Sequence, residues 1–175
     1  MTAPPTETPV PALTTRAGAG TTPDLTVIVH DHRPAPQGSK RHVGRGRLLE
    51  QSKRVAPWRV AVEAAAKDAM NARWLAGGGE DTLDGPLSVE VAFTVRKPAS
   101  APKRRITWPV TRDSGDIDKL LRSTFDALTT AGAIVDDSAI VEVVARKMHP
   151  EEGLDALTVP GAVIRVWRLV PAVTR

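Results

Sequence analysis

The sequence predicts an α+β domain, a mixed β-sheet with two main helices packed on it, in the order β-α-β-α-β-β. Two observations carry this reading. Four short runs rich in Val, Ile and Leu are set along the chain as strands. Between them lie two stretches whose apolar residues recur at helical spacing. A third observation bounds it: 175 residues suffice for one domain with a real core, and the absence of cysteine excludes both a disulfide framework and a thiolate metal site.

Residues 1–23 are Thr-, Pro- and Ala-rich with almost no charge, too little apolar surface to offset their ordering entropy. They read as a disordered tail before a domain spanning 24–175. Leu25 to Val29 is the first strand. The prolines and glycine between Arg33 and Arg41 then break regular structure. Pro57 suits the first position of a helix, along which Trp58, Ala61, Val62, Ala65, Ala69 and Ala72 form the apolar spacing. Gly77, Gly78 and Gly79 end it. Leu87, Val89, Val91, Phe93 and Val95 alternate as a half-buried strand. Ile117, Leu120, Leu121, Thr124, Phe125 and Leu128 make one stripe of a second helix, stopped by Gly132. Ala139 to Ala145 and Ala162 to Val170 are the last two strands, with a turn region between Gly153 and Pro160. Trp58 and Trp167 read as core.

The charge is distributed unevenly. The net charge is only +4, yet residues 33–59 hold eight Lys/Arg against one acid, Glu50, and residues 96–112 hold six basic residues and no acid. Two such runs in one small domain read as a phosphate-binding face, with Lys40, Arg41, Lys53, Arg54, Lys103, Arg104 and Arg105 as its candidates. Trp108, inside the second run, can stack on a base. No apolar run is long enough to span a bilayer, and the N-terminus lacks the charged-then-apolar order of a signal peptide, so a cytoplasmic protein is expected.

Asp116, Asp118, Asp136 and Asp137 crowd four carboxylates into 22 residues directly after the second basic run. Such groups repel and raise one another's pKa, and a hard divalent cation removes that cost. Mg²⁺ takes oxygen ligands and is held by a few carboxylates together with substrate phosphates. Each residue also has a plainer role. Asp116 can cap the second helix, Asp118 can answer its dipole, and Arg122 can form an i,i+4 ion pair with Asp118. Asp126 reads as a solvated acid. His30, His32 and His42 cluster, but their spacing fits no regular metal site. A metal centre requires the chain to return from the helix so that one of Asp136 and Asp137 meets Asp116 and Asp118. Arg122 then faces the phosphate, with Lys119 a second candidate rotated away from it.

From Gly115 to Thr129 and from Ala131 to Val141 the chain resembles the RusA family of Holliday junction resolvases. The likeness lies in the Asp-x-Asp helix start, the Phe-Asp-Ala-Leu-Thr helix end, and a Gly followed by an Asp-Asp pair entering a strand. It extends loosely over residues 24–170. The resemblance implies a homodimeric, Mg²⁺-dependent endonuclease that nicks four-way DNA junctions symmetrically in recombination and repair, of a type often carried by phages and prophages. It implies metal binding by Asp116, Asp118 and Asp137, with Asp136 alongside. The family's essential cation, usually Lys, falls on Arg122, and Lys119 stands where Asn is common. Arg keeps the charge but does not give up a proton. The rival readings are a non-catalytic nucleic-acid-binding protein with a decayed site and a small-molecule phosphohydrolase.

Overall fold

The computed structural model describes residues 22–38, 41–42, 48–49, 53–79 and 82–169. The expected tail falls almost wholly outside the described residues, as do Lys40 and the side chains of Arg41 and His42. The elements are β1 (Leu25–His30), β2 (Arg41–His42), β3 (Leu48–Leu49), α1 (Val55–Leu75), β4 (Leu87–Thr94), α2 (Ile117–Thr130), β5 (Ile140–Met148) and β6 (Gly161–Arg168). Apart from the small β2–β3 ribbon, the order is the expected β-α-β-α-β-β. α1 begins two residues before Pro57, which costs nothing because first-turn N–H groups have no intrahelical partner.

Four strands form one mixed sheet in the order β1-β6-β4-β5. β6 runs antiparallel to both β1 and β4, while β4 and β5 are parallel, from Leu87 opposite Ile140 to Thr94 opposite Met148. β4 is central, and seven of its eight residues are buried, which suits its Leu, Val and Phe content. β5 runs three residues past the expected Ala145 because β4 supplies it with partners to Thr94.

Both helices cover one face. Val27, Val29, Trp58, Val62, Val89, Val91, Phe93, Leu120, Leu128, Ile164 and Val166 meet in a single core. Trp58 crosses it, tilted 54° to Phe93 with ring centres 6.4 Å apart. Its indole N–H donates to Thr124 Oγ1 at 3.2 Å, and that hydroxyl donates to the Leu120 carbonyl at 2.8 Å, so α1 is keyed to α2 through a satisfied polar contact. Trp167, expected in the core, lies half-buried on the opposite face, because its partner in the β4 register is Ser88 rather than a core valine.

That opposite face carries paired charges instead of a second layer. Ser88 donates to Glu142 at 2.6 Å, Arg146 pairs with Glu90, and Arg165 grips Asp155 through two nitrogens at 2.7 and 2.8 Å. The Arg165 guanidinium holds the Asp155 carboxyl below the usual carboxylate range. A depressed folded pKa contributes stability above the unfolded value near 3.9, and loses it as pH falls through the lower folded value. Asp155→Asn is therefore expected to cost about 1 kcal/mol at pH 7. Its melting temperature should fall less steeply than the wild type's on acidification below pH 4, as thermal unfolding across that range would record.

Candidate active site

The segment entering α2 is held in an unusual conformation. A 3₁₀ turn at Arg112–Ser114 leads to Gly115, whose φ of +77° lies in the left-handed region. A Cβ there would also come within 3.1 Å of Pro36 Cγ. Ser114 Oγ lies 2.7 Å from the Pro109 carbonyl and 2.6 Å from that of Thr111, which closes the turn. Lys147, near the end of β5, donates from Nζ to the Gly115 carbonyl at 2.5 Å. The start of α2 and the end of β5 are thus tied together.

Asp116 occupies the N-cap position in extended conformation, yet its carboxylate caps nothing. It turns outward and accepts from Lys119 Nζ at 2.6 Å. The Lys119 ammonium lowers its pKa, with Lys147 and Arg112 adding to the effect, and Asp116 in turn raises the pKa of Lys119. Asp118 is exposed in the first turn of α2, and the i,i+4 ion pair with Arg122 does not form. Among the described residues, neither Asp118 nor Arg122 has an ion-pair partner. An exposed acid and an exposed guanidinium on one helical face are therefore uncommitted. Asp126, by contrast, pairs with Arg59 at 3.5 Å.

Arg33 and Arg54 converge on Asp113, at 2.5 and 3.3 Å, and hold its carboxyl below the usual range. A cavity of about 360 Å³ lies alongside, lined by Arg33, Arg96, Thr111, Asp113 and Ser114. Two guanidinium groups, Arg33 and Arg96, thus line a cavity whose wall includes Ser114, two residues before Asp116. Lys53 lies exposed just before α1, and Lys103, Arg104 and Arg105 are exposed along the loop after β4. His32 Nδ1 lies 2.9 Å from the His30 carbonyl, a local contact rather than a ligand arrangement.

Asp136 and Asp137 lie elsewhere. The segment after α2 runs beside Leu83, with Leu83 N–H donating to the Ala133 carbonyl and Val135 N–H to that of Leu83, at 3.0 and 3.1 Å. Asp136 then caps a 3₁₀ turn, accepting from Ser138 N–H at 2.9 Å, and Asp137 follows it, exposed. From Ile140 to Lys147 a strand covers about 23 Å. Lys147 is the residue tied to Gly115, so Asp137 sits at the end of β5 remote from Asp116 and Asp118. The expected return toward the helix start does not occur within one chain, because α2 runs antiparallel to the strand that follows it. Accordingly, no group of three or more His, Cys, Asp or Glu that could hold a metal is found among the described residues. Asp116 and Asp118 supply the hard oxygen donors that Mg²⁺ takes, and further ligands would have to come from water, a phosphate or another chain.

Lys147 and Asp113 were not anticipated from the sequence. Asp113 gains meaning only from Arg33 and Arg54, 80 and 59 residues away, and Lys147 reads locally as one more strand residue. Two outcomes are expected. Gly115→Ala should cost about 1 kcal/mol or more and lower the melting midpoint by a few degrees, from left-handed strain and contact with Pro36. In Lys119→Met the Asp116 carboxyl should titrate closer to the ordinary value near 3.9, as NMR titration of that side chain would show.

No helix of the described residues is long and apolar enough to cross a membrane. No curated protein matches the chain. The family model of endodeoxyribonuclease RusA, however, matches residues 31–159, a span that takes in β2 through β5, both helices, the basic loop and all four aspartates. With that match over most of its length, the chain belongs to the RusA endodeoxyribonuclease family and is a nuclease of that kind.

Proposed function

We propose that this protein is a Mg²⁺-dependent, structure-specific endodeoxyribonuclease that resolves four-way DNA junctions by paired symmetric nicks during recombination and repair. The observation that carries it is the exposed, uncommitted Asp118–Arg122 face beside an Asp116 that caps nothing, ringed by Lys119, Lys147 and Arg112. A structural helix start would spend these acids on backbone N–H groups or on an i,i+4 pair. This one leaves them turned to solvent among cations, at the carboxyl end of the parallel strand pair, where α/β sheets place ligands.

Asp116, Asp118 and Asp137 would hold the metal. When bound, Mg²⁺ supplies charge neutralisation at the phosphate and a more acidic water. The chain's own residues do the rest. Lys119 donates to the Asp116 carboxylate, orients it and lowers its pKa. Arg122 contacts a non-bridging phosphate oxygen and stabilises its growing charge, and because it stays protonated it does not relay a proton. Lys53, Arg54, Lys103, Arg104 and Arg105, with Lys40 and Arg41, hold the junction backbone by counterion release.

The remote Asp137 is reconciled with this site by a second copy. β5 is an edge strand, and Val141 and Val143 are exposed along it, with Val135 exposed in the segment before it. Two copies set antiparallel along β5 about a two-fold axis would exchange its ends, bringing the second copy's Asp137 toward the first copy's Asp116 and Asp118. Two such sites related by symmetry suit two symmetric cuts.

Asp118→Asn is expected to bind a synthetic four-way junction normally and to lose cleavage by a factor of about 100 or more, in a gel assay with and without Mg²⁺. Normal cleavage by this variant rejects the site. A wild type that binds the junction and never cuts it supports a decayed binding protein instead. Subunit mixing tests the shared site. Asp118→Asn and Asp137→Asn are each inactive alone, but a mixed dimer keeps one intact pairing, so an equal mixture should regain about a quarter of wild-type nicking. A mixture as inactive as its parents confines each site to one chain.

A further inference from the structure

Ile106, Trp108 and Val110 alternate along the loop between β4 and α2 and are 66%, 71% and 86% exposed, while Pro109 between them is buried. Three large apolar side chains thus form a ridge facing solvent. The ridge is held from beneath. Thr107 N–H donates to Glu152 Oε2 at 3.0 Å, the Pro109 carbonyl accepts from Ser114 Oγ, and Val110 N–H donates to the Trp108 carbonyl at 2.9 Å. Lys97 closes the loop on itself, donating to the Arg105 carbonyl at 3.0 Å and pairing with Glu152. The apolar side chains point outward because their backbone is fixed that way.

The surroundings say what the ridge meets. Lys103, Arg104 and Arg105 precede it and Arg112 follows, all exposed, with no acid in residues 96–112. A polyanion is attracted to this loop, whereas a second copy of the same loop is repelled. Ser114 also joins the ridge to the start of α2, since it holds Pro109 on one side and precedes Gly115 on the other. Ridge and acids therefore belong to one frame.

We propose that Trp108, shouldered by Ile106 and Val110, is a stacking platform for an unpaired base of branched DNA. The inference rests on the nuclease reading above and adds the kind of DNA the loop selects. Bases within a duplex already stack on their neighbours, whereas a base freed at a branch point has an open face. An indole accepts any base, so the contact reads strand opening rather than sequence. The flanking cations then grip the phosphates on either side.

The test uses the full chain, without added metal, and three DNAs: a four-way junction with 2-aminopurine at the branch point, an oligothymidine, and a blunt duplex. Trp108→Ala should melt like the wild type, because the side chain is mostly exposed. It should bind the junction and the oligothymidine about ten-fold more weakly, with the duplex little changed. The wild type and Trp108→Phe should quench 2-aminopurine on binding, and Trp108→Ala should not. Junction and oligothymidine affinities of Trp108→Ala equal to those of the wild type, or unchanged quenching, overturn the platform. So does a fall in solution mass for Trp108→Ala, which would make the ridge an interface between copies. Failure of the nuclease reading shows separately, as a wild type without junction cleavage in Mg²⁺, and the oligothymidine comparison still reports on Trp108.

Discussion

β4 and β5 run parallel, and a parallel pair cannot be closed by a hairpin, so the chain must cross back over the sheet between them. α2 makes that crossing, antiparallel to both strands. Everything about the candidate site follows from this one constraint. The start of α2 arrives at the carboxyl end of β5, where Lys147 ties it down through the Gly115 carbonyl. Asp116 and Asp118 are thereby presented beside the end of the strand pair, and Asp137, at the beginning of β5, is carried to the far end.

The open face of the sheet contributes at a distance. Its paired charges stand in for a second layer of helices, and Arg165 and Arg146 use them to hold Asp155 in the turn that follows β5. The same turn carries Glu152, whose carboxyl the Lys97 ammonium and the Thr107 N–H keep below its usual range. Glu152 fixes the basic loop, and through Ser114 the loop fixes the entry to α2. A chain of ordinary polar contacts thus connects the back of the sheet to the acids on its front edge. Such a frame matters for phosphodiester chemistry, which depends on placing charge rather than on covalent steps by the protein.

Much of the fold could be read locally. The strands from Leu25, Leu87, Ala139 and Ala162 and the helix stripe from Ile117 to Leu128 lie within a few residues of where they were expected, because alternation and helical spacing report directly on which face is buried. The Asp-x-Asp start was visible as a local motif, whereas the left-handed φ of Gly115 appears only in the structure. Trp167 was misjudged because its face depends on register with β4, and register is a relation between strands. Lys147 and the Arg33–Asp113–Arg54 cluster were missed because their partners lie tens of residues away.

The amino-acid order by itself determined the element sequence, the basic runs flanking the acids, and the family to which those acids belong. It could not say which end of α2 receives Asp137. Local pattern records burial and charge along a segment, whereas the direction in which a helix crosses a sheet is set by strand pairing between distant residues. Only the tertiary structure decided that the aspartates are divided between the two ends of β5, that the Asp116 carboxylate pairs with Lys119 rather than capping the backbone of α2, and that Trp108 stands clear of the core.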